Sequence, residues 1–328
     1  MKAYILTTKL FIIASFFFIS CSPYVDIVKV DVLNPSISTF SFANKKVAIV
    51  GNLYEIDKGK YLYDSTLVAK ATQGVKAALE QSPAFENYEI PIYYTYTSDT
   101  SLVTKTMPLA DINSLAKDID ADIFIYVDFI LAVGKSTNNT GGGDVEHMVQ
   151  YGGLFRVYQA GEEKSYSPYF FKNEEAEPVV VYGDTGLPVM SSLEDVKAGL
   201  AYRLGENYAL LIAPYWEAVE RVYYVYPDDE NGNLKMGDRY AQRGDWVKAM
   251  ESWNKTVTAS AKKMQVAMAA FNMAVGCEMM GDLELAQSWL AYCKKLQNSK
   301  INPTPYMQTI AGRIQDKKML DEKLQVVN

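Results

Sequence analysis

Apolar positions follow three rhythms along this chain. Residues 10–19 are almost continuously apolar. Shorter runs stand at Val47-Ala48-Ile49-Val50 and at Ile123-Phe124-Ile125-Tyr126-Val127-Asp128-Phe129-Ile130-Leu131. From residue 236 onward, small and aromatic residues recur at helical spacing. The short runs suit strands buried on both faces, as in a sheet covered by helices.

Weak alternation over Val25 to Val32 predicts a strand before a turn at Pro35, and Tyr88 to Tyr94 reads as another. Helical spacing separates these segments. Asp64-Ser65-Thr66 offers an N-cap to a stripe of Leu67, Ala71, Val75, Ala78 and Leu79, with an end near Ser82-Pro83. Pro108 opens a second helix that buries Leu109, Ile112, Leu115, Ala116 and Ile119. The β-α-β-α-β order predicts an α/β layer with helices packed on a sheet. Gly134 to Asp144 reads as a polar loop, and Met148 to Tyr158 with Tyr166 to Phe171 as an antiparallel hairpin. Ser191 with Glu194 forms a capping box for a helix from Leu193 to Ala213, which Pro214 stops or kinks. Tyr215 to Val225 carries the chain to a solvated turn at Pro227 to Asn233, taken as the domain boundary.

Beyond that turn the sequence repeats. Met236-Gly237 and Tyr240 precede Gly244-Asp245-Trp246, Ala249, Trp253 and Thr256. Met273-Ala274 and Cys277 precede Gly281-Asp282-Leu283, Ala286, Leu290 and Cys293, 37 residues later. Small residues at Gly237, Ala249, Ala274 and Ala286 let paired helices approach, while Trp253 and Leu290 fill the gap to the neighbour. The pattern resembles the tetratricopeptide repeat, with Gly237, Tyr240, Gly244, Trp246, Ala249, Trp253, Ala274, Gly281, Ala286 and Leu290 as scaffold positions. Two units are visible, and stacked repeats need about three. Tyr306 to Val326, after Pro303 and Pro305, is the expected capping helix. The expected fold class is α+β overall: an N-terminal α/β sheet domain over residues 21–226, then an all-α tetratricopeptide-like helical domain over residues 227–328.

The apolar run at residues 10–19 follows Lys2 and Lys9 and ends at Ser20-Cys21. A basic start, about ten apolar residues and a small residue before the cut describe a signal peptide over residues 1–20. A spanning helix needs about 20 apolar residues, twice this run. Phe18-Ile19-Ser20-Cys21 resembles the lipobox of bacterial lipoproteins. That resemblance implies cleavage before Cys21, diacylglycerol on its sulfur and acylation of the new amino group, and several acyl chains suffice for stable anchoring. Ser22 after the cysteine implies outer-membrane sorting, and Ser22-Pro23-Tyr24-Val25-Asp26 lacks an acidic export tag, so the periplasmic face is expected. In that oxidising compartment Cys277 and Cys293 are permitted to pair. Their apolar helix faces favour two free thiols packed as small hydrophobes.

Composition narrows the function classes. The 328 residues are 49% hydrophobic and 22% charged, which excludes a disordered chain, a collagen and a polytopic membrane protein. Without residues 1–20, 30 basic groups face 39 acidic ones, a net charge of −9. So acidic a body has no general attraction for nucleic acid or an anionic bilayer.

Local motifs give little chemistry. Gly134-Lys135-Ser136-Thr137 lacks the earlier glycine of a phosphate loop, since Phe129 stands there. Pro227 to Asp238 lacks the first and last carboxylates of a calcium loop. His147, the single histidine, has no nucleophile elbow to serve and reads as a surface or strand-edge residue. Glu174, Glu175 and Glu177 read as a solvated acidic run. The 24 tyrosines, among them Tyr93, Tyr94, Tyr96, Tyr223, Tyr224 and Tyr226, serve packing before contact. No cofactor and no metal site is expected.

Taken together, the lipobox, Lys45-Lys46-Val47-Ala48-Ile49-Val50, Ala213-Pro214-Tyr215-Trp216, Glu220-Arg221-Val222-Tyr223-Tyr224 and the two repeats resemble a Bacteroidota lipoprotein family. The α/β part is similar, in element order and in Ala121-Asp122-Ile123-Phe124-Ile125, to the amino-terminal domains of Tol-system and curli-type envelope proteins. The expectation is a non-catalytic, lipid-anchored envelope lipoprotein that engages a protein partner through its helical repeats. A peptidoglycan- or glycan-directed binder or enzyme is the alternative, marked by carboxylates converging beside tyrosines in one cleft. The curli-like order adds a third reading, a subunit of a multimeric envelope assembly.

Overall fold

The computed structural model describes residues 24–38, 40–57, 60–61, 64–97, 105–138, 145–178, 180–182, 188–190, 192–226, 232–259 and 262–324. The signal segment and Cys21 lie outside these residues. The fold is α+β. No helix among the described residues is long and apolar enough to cross a membrane.

The chain divides into two compact units. One holds residues 33–217 with the stretch from Met319 onward, and is built on a mixed six-stranded sheet. Strand β2 (Val47–Asp57) lies at its centre, parallel to both β4 (Ile92–Thr97) and β5 (Ile123–Asn138), with β3 (Lys60–Tyr61) antiparallel at its end. Antiparallel strands β6 (Val145–Gln159) and β7 (Ser165–Pro178) extend it beyond β5. Two short strands, β8 (Val180–Tyr182) and β9 (Pro188–Met190), pair with each other.

Alternation in β2 explains the layering. Val47 and Ile49 join the larger core, beneath helices α1 (Ser65–Glu80) and α3 (Leu193–Ile212). Ala48 and Val50 face the opposite way and pack with Phe124, Tyr126 and Tyr158 against Ile112 and Ala116 of α2 (Leu109–Asp118) and Ile119 at its C-cap. The continuous apolar run thus covers both faces, as expected for a strand between helical layers. Asp64 caps α1, its carboxylate accepting from the Thr66 amide at 2.8 Å.

Several local expectations shift. The polar loop expected from Gly134 starts later: residues 134–138 continue β5, because their backbone pairs with β6 from Gly134↔Val149 to Asn138↔Val145. Residues 139–144 lie outside the described residues. The capping box at the head of α3 is Ser192 with Asp195, one residue beyond the expected Ser191 and Glu194. Strand β4 begins at Ile92 rather than Tyr88, because Pro91 has no amide to donate and offers only its carbonyl, to the Ile49 amide at 2.9 Å. Beyond Pro214 the chain becomes strand β10 (Tyr215–Val225).

The second unit holds residues 24–32 with 218–318. Strand β1 (Tyr24–Asn34) pairs with β10, and five helices follow: α4 (Asn233–Ala241), α5 (Trp246–Ala259), α6 (Lys263–Met279), α7 (Leu283–Lys295) and α8 (Thr304–Leu324). The boundary expected between residues 226 and 227 therefore moves to Glu217/Ala218, and residues 24–32 leave the sheet domain. The cause is strand pairing: β10 bonds to β1, and its Tyr224 backbone bonds to α6. Helix α8 supplies the expected terminal helix, beginning two residues before Tyr306.

The internal similarity has a geometric counterpart. Gly244 donates to the Ala241 carbonyl and Asp245 to Tyr240, as Gly281 donates to Glu278 and Asp282 to Cys277. Both glycines adopt positive φ, +75° and +78°, where a side chain is strained. Cys277 and Cys293 are both free and buried, so the permitted disulfide does not form. Cys277 points at Met250 Sδ, 3.9 Å away, and Cys293 donates to the Ala267 carbonyl at 3.4 Å. Burial pushes their thiols up to about 11 and about 12, far from the thiolate form that exchange requires.

Candidate functional site

Two places were expected to carry function, the helical repeats and any cleft with converging carboxylates. The repeat positions turn out to be packing. Ala249, Trp253, Ala274, Ala286 and Leu290 are fully buried, Trp246 nearly so, and Tyr240 is half-buried beneath the Lys248 ammonium. A Cβ on Gly237 would stand 2.2 Å from Trp253 Nε1, so this glycine is what admits the indole. Every residue of α6 from Gln265 to Glu278 is buried. Its surroundings come from the same unit. The Asn272 amide mimics a strand neighbour, accepting from the Tyr224 N–H and donating to the Tyr224 carbonyl, each at 2.7 Å. Glu278 takes Arg221 at 2.9 Å and is also bonded by Arg313 and Tyr306. Helix α6 leaves no open face for a partner.

The other unit holds a cavity of about 310 Å³ on the α2 side of its sheet. Asn52 and Tyr54 of β2, Thr95 and Thr97 of β4, Tyr126 and Asp128 of β5 and Tyr158 of β6 form its wall. Helix α2 adds Asp111, Ser114, Leu115 and Asp118, and the segment before it adds Lys105, Thr106, Met107 and Pro108. Asp111 and Asp118 are seven residues apart, two helical turns, so both face the cavity while Ile112, Ala116 and Ile119 face the sheet. The Asn52 carbonyl accepts from the hydroxyls of Thr97 at 2.9 Å and Thr95 at 3.2 Å, and Thr95 also meets the Tyr126 hydroxyl at 3.3 Å. Burial raises the Tyr126 and Tyr158 hydroxyls, so both stay protonated at neutral pH.

Asp128 is the chemically unusual member. The register between β5 and β6 slips from Val127↔Phe155 to Phe129↔Leu154, which leaves Asp128 as the extra residue of a bulge. Bulges re-aim side chains and collect beside functional sites. Arg156 sits at a second slip, between β6 and β7. The two side chains form a buried ion pair through Asp128 Oδ1. Asp128 is only 3% exposed, and its Oδ2 has no hydrogen-bond partner among the described residues. Burial lifts its carboxyl to about 7, with Arg156 pulling in the other direction. Leaving such an oxygen unpaired costs about 1–3 kcal/mol or more, which makes it an exception that calls for an explanation.

A pH dependence follows. Between the usual value of 3.8 and about 7, the folded chain keeps a proton on Asp128 that the unfolded chain has released. This stabilising contribution is complete below the unfolded value and fades as pH rises through the folded one. Wild type should therefore lose stability between pH 5 and pH 8 relative to Asp128→Asn, by about 1 kcal/mol or more in urea titrations. Curves that stay parallel across this range would contradict it.

Sequence motifs did not single out Asp128, yet a signal was present: it is the one charged residue in the apolar run from Ile123 to Leu131. The features that did stand out lie elsewhere. His147 is buried on the inner strand β6, not at a surface or edge, and its Nδ1 is 2.9 Å from Ser136 Oγ. Gly134-Lys135-Ser136-Thr137 is strand. Glu174, Glu175 and Glu177 belong to β7 rather than to a loop, opposite Gln150, Val149 and His147, and their side chains lie outside the described residues. Much of the acidic turn after Tyr226 also lies outside them. Tyr223 packs inside, whereas Tyr93, Tyr94 and Tyr96 of β4 are exposed. Among the described residues no three His, Cys, Asp or Glu side chains gather as metal ligands.

Comparison with known proteins gives two families and distant solved structures. A family model described as a domain of unknown function (DUF8603) matches residues 27–224, and another domain of unknown function (DUF6340) matches residues 235–320. No curated protein matches the chain. Among solved structures, the hypothetical protein CT253 from Chlamydia trachomatis is similar at 15% identity and a TM-score of 0.26, over 50% of this chain and 98% of that one.

Proposed function

The chain belongs to the family of the domain of unknown function DUF8603, and we propose that it is a non-catalytic, lipid-anchored envelope protein that binds a small polar ligand over Asp128. One observation carries this reading: Asp128 lines the cavity, and its buried Oδ2 lacks, among the described residues, a partner that a ligand would supply. The cavity volume lies at the lower end of the usual range for small-molecule sites, about 300–1,000 Å³. This develops the glycan-directed alternative, because carboxylates of Asp111, Asp118 and Asp128 share one cleft with tyrosines. The tetratricopeptide-like helices become a supporting framework, since the chain itself occupies the surroundings of α6.

The anchor rests on the lipobox resemblance at Cys21, and the outer membrane, periplasmic side, is the proposed address. Mass spectrometry of the protein from its native membrane is expected to show Cys21 as the first residue, carrying a thioether lipid. An intact residue 1–20 segment or an unmodified thiol would reject the anchor. For the cleft, amide shift mapping with a mixture of soluble peptidoglycan fragments is expected to move Asn52, Thr95, Thr97 and Asp128. Shifts confined to other residues would reject the site.

A second reading draws on the same carboxyl. A group that is protonated near neutral pH suits a general acid, so glycan cleavage is the catalytic alternative. Hydrolysis of a chromogenic glycoside that disappears in Asp128→Asn would establish it.

A further inference from the structure

We propose that the ligand of the Asp128 cleft carries a protonated amine, an inference that rests on the cleft being a binding site. In its ionised form Asp128 presents Oδ2 as an acceptor that only a hydrogen-bond donor satisfies, and a cation in the cleft favours that form. Two donors of the wall are already used within it: the Thr95 and Thr97 hydroxyls are directed to Asn52 Oδ1. Arg156 reaches Asp128 through the other oxygen, Oδ1. Among the described residues no donor reaches Oδ2, so a ligand in the cleft is positioned to supply it.

Charge at the mouth selects its type. Asp111 and Asp118, both exposed, line the α2 side at helical spacing, and Lys105 is the one exposed cation among the lining residues. An ammonium entering this mouth meets two rim carboxylates and then a buried acceptor. A neutral hydroxyl would use the buried oxygen alone and leave the rim charge without effect. Hydrogen bonds between charged groups are shorter and roughly twice as strong as neutral ones. The space of about 310 Å³ accommodates a molecule of single-sugar size.

The test compares glucosamine with glucose, which differ at one position, amine against hydroxyl. Calorimetry and amide shift mapping use the full chain in detergent. Glucosamine is expected to bind at least about tenfold more tightly than glucose, with shifts at Asn52, Thr95, Thr97 and Asp128. Asp128→Asn is expected to abolish the preference, and Asp118→Asn, on the exposed rim, to weaken glucosamine about two- to threefold. Circular dichroism checks that each variant folds, and Asp118→Asn remains informative should Asp128→Asn fail that check. Equal affinities of the two sugars, with cleft shifts, would overturn the amine and leave the binding site standing. Absence of cleft shifts with either sugar and with the peptidoglycan fragments would overturn the site itself.

Discussion

Replacing Glu278 by alanine is expected to destabilise the helical unit by about 3–5 kcal/mol, the usual cost of removing one partner from a buried ion cluster. Glu278 is 2% exposed and sits at the end of α6, where Arg221 of β10 and Arg313 and Tyr306 of α8 all direct their donors at its carboxylate. Three segments distant in sequence are thus tied to one side chain. Removing it leaves two largely buried guanidinium groups without a counter-charge and a buried phenol without an acceptor. Glu278→Gln keeps the shape and part of the hydrogen bonding, so it should cost less than alanine. Urea denaturation followed by the fluorescence of Trp246, Trp253 and Trp289 reads the difference. A cost for alanine below about 1 kcal/mol would show that the cluster is not a structural tie.

The same cluster responds to acid. Burial raises the Glu278 carboxyl, but the hydrogen bonds and charges of Arg221, Tyr306 and Arg313 outweigh it and leave the group below its usual value of 4.5. A lowered carboxyl contributes stability above its unfolded value and loses it as pH falls through the folded one. The helical unit should therefore weaken below about pH 4, the opposite trend to that of Asp128.

The second large effect concerns the contact between α1 and α3. A Cβ built on Gly74 would lie 2.0 Å from the Tyr202 carbonyl oxygen, and one on Gly205 would lie 2.0 Å from that of Ala71. Each glycine thus removes a side chain where the opposite backbone passes, and the obstructing atoms are main chain, which cannot rotate away. Gly74→Val or Gly205→Val should force the helices apart and cost about 3 kcal/mol or more, at or above the upper end of core overpacking. Gly199, also in α3, is the internal control, because a Cβ there meets nothing within 4 Å. Gly199→Ala should stabilise by about 0.5–1 kcal/mol through helix propensity. Thermal unfolding should move down for the first two variants and up for the third. A tolerated Gly74→Val would show that the helix contact yields more readily than its geometry implies.

Much of the fold is legible in the sequence, because the forces that set individual elements act locally. The Asp64 carboxylate is two residues from the amide it caps. The run from Val47 to Val50 must be buried on both sides, and the paired Gly-Asp turns need a left-handed residue at Gly244 and Gly281. Glycine, proline and apolar spacing encode such features within a few residues. The packing roles of Gly237, Ala249, Trp253, Ala274, Ala286 and Leu290 follow from the same pattern.

What lay beyond the sequence depends on partners far along the chain. Residues 134–138 are polar enough for a loop and become strand only because β6 supplies their hydrogen bonds. The unit boundary shifts because β1 and β10 join, and Asp26 meets Tyr223 across 197 positions. Asp128 is one acid in an apolar run until the bulge turns it toward the cavity and Arg156, 28 residues away, holds one of its oxygens. The sequence by itself determined where most helices, strands and turns lie, since capping, burial and backbone preference are decided within a turn or a strand. Only tertiary structure decided where the two units part and which carboxylate is left unpaired, since hydrogen-bond partners and local dielectric are properties of surroundings that no single segment contains.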